Sequence, residues 1–341
     1  MKASVLENVP LAPFTTLGIG GPARYFIHAG TEKTVLEGVH FALEQGVPLL
    51  VLGGGSNLVV ADAGFPGVVL RVEIKGRHWS GERLTAGAGE DWDGVAAGVV
   101  ARNLSGVECL SGIPGSVGGT PVQNVGAYGQ EVSGTLAAVR AYDRQTNRIV
   151  DLSREDCAFS YRKSIFNTTA RDRYIVLDVT YAFSRDAAPC IEYPDLKREL
   201  ENVSHPTLIQ VRDAVRRLRA RKAMLIQEGD PDCRSAGSFF KNPIFSPEAF
   251  ARLESLAGEP LPRFPAPAGE VKTSAAWLIE HSGIAKGYRH GRAGVSTKHT
   301  LALVNTGGAT AEELMALARE IRERVEDRYG VRLDIEPVLV A

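Results

Sequence analysis

Apolar positions fall at helical spacing in four clear places along the chain. Val35, Leu36, Val39 and Leu43 follow Thr31 and stop at Gly46, which predicts an amphipathic helix with a threonine N-cap and a glycine stop. Thr207 and Gln210 form a capping box ahead of a long basic helix predicted from 208 to about 224. Ser246-Pro247 reads as an N-cap followed by proline at the first helical position. Thr310 and Glu313 make a second capping box, and Leu314, Leu317, Ile321 and Val325 draw one apolar stripe before Gly330.

Elsewhere the apolar runs are short and read as strands: PLLVL (48–52), GVVLRV (67–72), RLTAG (83–87), AAVRAYD (137–143), YIVLDVTYAF (174–183) and LALVN (301–305). They do not alternate regularly with helices, so a doubly wound sheet is not expected and an α+β architecture is. A chain of 341 residues implies more than one domain. Periodicity gives way to charge and turn formers at RDAAP (185–189) and again at GDPDCRS (229–235), and the first boundary is expected near 190–205.

Composition narrows the function classes. Hydrophobic residues make up 44% and charged residues 23%, as in ordinary soluble domains. A net charge of −1 provides no global field for nucleic acid or an anionic membrane, so an anionic ligand has to be held by local groups. Cys109, Cys157, Cys190 and Cys233 lie far apart without zinc spacing, and the seven histidines are dispersed, so no metal site is expected. No stretch approaches the ~20 apolar residues of a membrane span, and the N-terminus has no apolar signal-like region. These features predict a soluble cytoplasmic protein with reduced thiols and no membrane insertion. A monomer is the default expectation.

Glycine carries the most specific pattern. It clusters in TTLGIGG (15–21), LGGGSNL (52–58), LSGIPGSVGG (110–119) and QNVGAYG (123–129). Such loops allow positive φ and close backbone approach, so that successive N–H groups converge on phosphate oxygens. The dinucleotide fingerprint fails, however: after PLLVL comes Gly53-Gly54-Gly55-Ser56-Asn57-Leu58, with leucine where the third glycine belongs and no helical pattern beyond it. A phosphate cradle without that unit points to a different flavin fold.

LGGGSNLVV, SGIPGSVGGTPVQNVGAYG, FSYRKSIF and SAGSFFKNP occur here in that order. In this the chain resembles the UDP-N-acetylenolpyruvoylglucosamine reductases from about residue 14 to 341. The resemblance implies a vanillyl-alcohol-oxidase (PCMH) type FAD-binding domain over 1–200, in two α+β subdomains split near 70. A smaller α+β substrate-binding domain over 201–341 would follow, its last strand returning to the active site. Non-covalent FAD would be held by Gly53, Gly54, Gly55, Ser56, Asn57 and Leu58, and by Gly112, Ile113, Pro114, Gly115, Val117, Gly118 and Gly119. Asn124, Gly126 and Ala127 would complete that set.

The implied reaction moves hydride from NADPH through the flavin to the vinyl C3 of UDP-N-acetylglucosamine enolpyruvate, giving UDP-N-acetylmuramate. Charge develops at C2 and its carboxylate, which calls for a proton donor and a fixed cation. The resemblance assigns these to Ser238 and Arg162, with Glu336 polarising the same group; Asp334, two residues away, is the competing carboxylate. Tyr128, Tyr161, Tyr193, Lys222, Asn242, Lys272 and His299 are the implied substrate residues. Phe264 departs from a tyrosine in some members, and the stretch 223–234 is longer than in the shortest ones. Arg212, Arg216 and Arg219 share one face of the basic helix, where most of its cations are expected to be solvated. Two other readings remain at this point: an oxidase or dehydrogenase of the same fold, and a catalytically silent flavin or UDP-sugar sensor.

Overall fold

The computed structural model describes residues 3–341, which fall into two compact units. The first comprises the residues up to Val9, Ala23–Gly55 and Phe65–Ala220; the second comprises Pro10–Pro22, Ser56–Gly64 and Arg221–Ala341.

In the first unit the helix Glu32–Gln45 forms as its caps dictate. The Thr31 hydroxyl accepts the Thr34 N–H, and Gly46 takes the left-handed conformation at φ 63. This helix is the crossover that parallel strands require. The sheet beside it runs Val5–Pro10, Pro22–Ala29, Phe65–Val72, Leu49–Leu52, with the last three strands parallel. A second, antiparallel sheet runs Arg148–Ser153, Leu136–Asp143, Tyr174–Ala182, Arg83–Gly87, Arg77–Ser80. One apolar core joins the two, containing Ile27, Leu70, Val95, Val99, Val139 and Tyr181.

The helix Trp92–Ala101, capped by Asp91, has no counterpart among the helices read from sequence. Its residues WDGVAAGVVA are apolar nearly all round, although only Trp92, Val95, Ala96, Val99 and Val100 are buried, so the amphipathic signal is absent. Leu208–Arg221 packs through Val211, Ala214, Val215 and Leu218 onto Cys109, Tyr128, Leu196 and Leu200. The first unit therefore reaches past the composition shift at 185–189.

The second unit is built on an antiparallel sheet ordered Ser235–Ser238, Ala302–Asn305, Ala293–Val295, Arg289–His290. Against it pack Ala275–His281 and Ala311–Tyr329, burying Leu278, Leu314, Leu317, Ile321 and Val325 with Phe239 and Phe240. The Thr310–Glu313 capping box forms, and the Asp62 carboxylate accepts the Ala311 and Glu312 N–H groups (2.8 and 3.0 Å). The final strand Val338–Val340 runs parallel to Leu58–Val60. Among the described residues no helix is long and apolar enough to cross a membrane.

Candidate active site

Strand Leu49–Leu52 of the first unit delivers Gly53, Gly54 and Gly55 at its C-terminal end, where they meet the loop that starts at Gly112. A Cβ on Gly54 would lie 2.5 Å from the Gly115 Cα, and one on Gly53 would lie 2.5 Å from the Ser116 Oγ. Gly55, Gly112 and Gly115 have φ of 63, 72 and 129. Only residues without a Cβ let two backbones meet this closely, and the result is a surface of main chain suited to a pyrophosphate. The Ser111 hydroxyl, buried where this loop begins, has no hydrogen-bond partner among the described residues. These features fit a bound dinucleotide. The N–H groups of Val117, Gly118 and Gly119 are committed to the Glu90, Ala88 and Ser116 carbonyls, so those residues shape the loop. Ile113 packs on the apolar core.

The start of the loop is clamped by residues that the sequence motifs do not include. Gly112 N–H donates to Asp93 Oδ1 (2.6 Å), and the buried Arg219 donates its Nε–H to the Gly112 carbonyl (3.0 Å). Asp93 also accepts from Arg212 Nη1 (2.7 Å) and Arg216 Nη1 (2.5 Å). Three arginines expected on a solvated face are therefore structural anchors; i, i+4, i+7 spacing identifies a shared face but not what covers it. Burial tends to raise the Asp93 carboxyl, but the bonds from Arg212 and from the Gly112 N–H outweigh it and hold it below its ordinary value. Burial lowers Arg219 to about 10, still charged at neutral pH. The available sequence signal was Asp91-Trp92-Asp93, an N-cap with an acidic first turn, ahead of an apolar run.

Arg162, Gly126, Asn124 and Tyr128 also lie in this unit. Arg162 sits in a tight turn in which Ser160 and Lys163 exchange backbone bonds of 3.0 Å, and its own φ is 58. A non-glycine residue held there costs about 1–3 kcal/mol, a strain found at sites where one side chain must be aimed. Its Nη2 donates to the Gly126 carbonyl (2.9 Å), while Asn167 Nδ2 donates to the Arg162 carbonyl (3.1 Å). Ala127 pairs with Gln130 in a two-residue hairpin. Asn124 is buried with its amide fully employed, donating to Glu131 Oε2 (2.7 Å) and the Ser160 carbonyl (3.2 Å) and accepting from Ser133 N–H (3.1 Å). Its side chain braces the loop. The Arg162 guanidinium lies 5.3 Å from the Tyr161 ring centre, and Tyr128 meets Tyr193 edge-to-face at 5.3 Å. Burial, with Asp195 nearby, raises the Tyr193 phenol.

Ser238, Glu336, Ser56, Asn57, Leu58, Lys222, Asn242, Lys272 and His299 belong to the second unit. Ser238 ends its strand just after a bulge: Ser235 pairs with Val304 but Ser238 with Ala302, and Gly237 absorbs the extra residue at φ 73. The chain then runs beside the C-terminal segment. Glu336 N–H donates to the Phe239 carbonyl (2.9 Å) and Lys241 N–H to the Asp334 carbonyl (2.9 Å). This register sets Glu336 against the neighbour of Ser238 and places Asp334 further along. Asn57 Nδ2 donates to the Glu336 carbonyl (3.4 Å), and the Asn57 carbonyl accepts the Val338 N–H (2.9 Å), fixing the same segment.

Asn242 Oδ1 accepts the Ala275 N–H (2.9 Å) at the start of the helix Ala275–His281, so its amide oxygen is committed to the fold. Lys272 occupies the central strand between Ile244 and Phe264. The His299 carbonyl accepts the Ala302 N–H (3.1 Å), at the turn into the strand opposite Ser238. Lys222 follows the end of the basic helix. The segment ahead of Ser235 is pinned by buried Asp232, which accepts from Ser296 Oγ (2.9 Å) and from Thr297 N–H and Oγ1 (2.8 and 2.7 Å). An Asp230–Lys298 ion pair of 2.6 Å adds to this.

Comparison with known proteins gives a consistent result. The family model described as UDP-N-acetylenolpyruvoylglucosamine reductase, C-terminal domain, matches residues 230–340, and one described as FAD binding domain matches 23–153. The UDP-N-acetylenolpyruvoylglucosamine reductase of Thermobifida fusca is 48% identical, covering 100% of this chain and 99% of that protein. That of Streptomyces coelicolor is 49% identical over 98% of this chain and 90% of its own length. The solved structure of the Thermus caldophilus enzyme of that name superposes with a TM-score of 0.69 at 26% identity, covering 100% of both chains.

Proposed function

Since the chain belongs to the UDP-N-acetylenolpyruvoylglucosamine reductase family, we propose that it reduces UDP-N-acetylglucosamine enolpyruvate to UDP-N-acetylmuramate with electrons from NADPH, a step of peptidoglycan precursor synthesis in the cytoplasm. FAD bound without a covalent link at the glycine loops would relay hydride from NADPH to the vinyl C3. The chain's own groups have two tasks: to stabilise the charge that grows on C2 and its carboxylate, and to protonate C2. Arg162 is the fixed cation, its planar fork suited to a carboxylate and its direction set by the strained turn and the Gly126 carbonyl. Ser238 gives its hydroxyl proton to C2. Glu336 orients the reacting carboxylate.

The observation that carries this reading is the backbone register of the second unit, where Glu336 is bonded to the residue next to Ser238 at a bulged strand end. Tyr128, Tyr161, Tyr193, Lys222, Lys272, His299 and the amide NH2 of Asn242 are assigned to the UDP-sugar, with Lys222 meeting the diphosphate.

The test is an anaerobic two-step spectrum of the purified protein. NADPH bleaches the flavin band, and UDP-N-acetylglucosamine enolpyruvate then restores it with UDP-N-acetylmuramate formed. A band that stays bleached removes the substrate assignment, and folded protein that takes up no FAD removes the whole reading. The register makes a further prediction. Glu336→Gln lowers kcat by ~10-fold or more, whereas Asp334→Asn stays near wild type; the reverse pattern would transfer the role to Asp334.

A further inference from the structure

Two thiols of the first unit meet outside the machinery described so far. Cys109 is buried in the short turn Glu108–Leu110, directly ahead of the glycine loop. Cys190 is partly exposed and lies three residues before Tyr193. The Cys109 thiol donates to the Cys190 carbonyl (3.1 Å), which brings the two cysteines together. Both backbones are held in place. Cys190 N–H donates to Glu108 Oε1 (2.9 Å), Gln130 Nε2 donates to that same oxygen (2.8 Å), and Gln130 Oε1 accepts the Cys109 N–H (2.8 Å).

We propose that Cys190 and Cys109 are a redox modification site that closes to a reversible disulfide when the protein meets a hydroperoxide. The Cys190 thiolate attacks the distal peroxide oxygen; the O–O bond breaks, the alcohol or water leaves with a proton, and Cys190 becomes a sulfenic acid. The Cys109 sulfur then attacks the Cys190 sulfur, displacing hydroxide, which takes the Cys109 proton and departs as water. Two electrons pass from the thiol pair to the peroxide. A dithiol reductant reverses the step by exchange.

The environments of the two thiols differ as this sequence requires. The hydrogen bond from Cys109, helped by the Glu192 backbone amide and opposed by burial, lowers the Cys190 thiol to about 7. The same bond, together with burial and the Glu108 charge, raises Cys109, which stays protonated until it is called on to resolve. Cys157, by contrast, is pushed up to about 12 by burial. The disulfide would tie the segment that supplies Tyr193 to the turn that opens the glycine loop. Any effect of that tie on turnover rests on the function proposed above, but formation of the bond does not.

The test is peptide mapping of the holoenzyme after brief hydrogen peroxide treatment. A Cys109–Cys190 linked peptide is expected, about 2 Da lighter than the sum of the reduced pair and lost on reduction. In untreated protein at pH 7, Cys190 should alkylate at least ~10-fold faster than Cys157. The Cys109→Ser variant should stop at a Cys190 sulfenic acid, captured by dimedone. No linked peptide from the wild type, or equal alkylation rates for Cys190 and Cys157, would overturn the proposal. A linked peptide in a protein that fails the two-step spectrum would leave the thiol pair standing and remove only the catalytic reading.

Discussion

Ser238→Ala is expected to bleach with NADPH at the wild-type rate and to recover its flavin band ~10²–10⁴-fold more slowly when the enolpyruvyl substrate is added. An aliphatic hydroxyl is a poor acid, but the charge on C2 belongs to an enolate that is a far stronger base, so proton transfer runs downhill once the hydroxyl is placed. Placement is what the bulge provides. Gly237 absorbs the extra residue, Ser238 regains register opposite Ala302, and the fully buried Phe239 and Phe240 hold the strand beyond it. Alanine keeps the Cβ and that backbone, so the variant should fold and bind FAD as the wild type does. The slowing should therefore fall on the second half-reaction alone. Recovery at the wild-type rate would assign the proton to another donor and leave Ser238 as a residue of a bulged strand.

How much of this was legible in the sequence depends on the range of the interaction. Thr31, Thr207 with Gln210, Ser246, and Thr310 with Glu313 all cap the helices they were read to cap, because capping is settled within four residues. Short strands such as Arg83–Gly87 were equally local. The helix Trp92–Ala101 was lost because its half-buried face carries Gly94, Ala97 and Gly98 where polar residues would mark the period. The assembly of each unit from separate stretches was also hidden, since nothing local says that Pro10–Pro22 and Ser56–Gly64 join the C-terminal residues. The choice between Glu336 and Asp334 is of the same kind. Both alternate onto one face of an extended segment, and only the pairing of 334–336 with 239–241 gives them different neighbours on the opposite strand. Glycine was the exception. A Cβ on Gly54 would lie 2.5 Å from the Gly115 Cα, so a glycine at that position signals in the sequence a close long-range approach of two backbones.

Asp93 is where a residue invisible to motif reading should have the largest effect on cofactor retention. Asp93→Ala is expected to raise the Kd for FAD at least ~10-fold and to lower the Tm of the apoprotein. Its carboxylate accepts the Gly112 N–H and two guanidinium groups, and charge-assisted bonds of this kind are stronger than neutral ones. Removing one member of a fully buried pair costs roughly 3–5 kcal/mol; with the Asp93 side chain 26% exposed, a value nearer ~2–3 kcal/mol is expected. The alanine variant also removes the carboxylate to which Arg212 and Arg216 both donate, and it frees the Gly112 amide that sets the loop's starting direction. Asp93→Asn keeps an acceptor for that amide but loses the charge, so its Kd should fall between those of wild type and Asp93→Ala. The pH dependence separates the two contributions. The folded carboxyl is held below its ordinary value, so its contribution is complete above the unfolded value of about 3.9 and is lost as pH falls through the depressed folded one. Acid release of FAD from the wild type should then carry a limb below about pH 4 that is missing from Asp93→Asn. If Asp93→Ala lowered the Tm while its Kd for FAD stayed unchanged, the clamp would be supporting the fold without shaping the flavin loop, and the link drawn from the basic helix to the cofactor would fail.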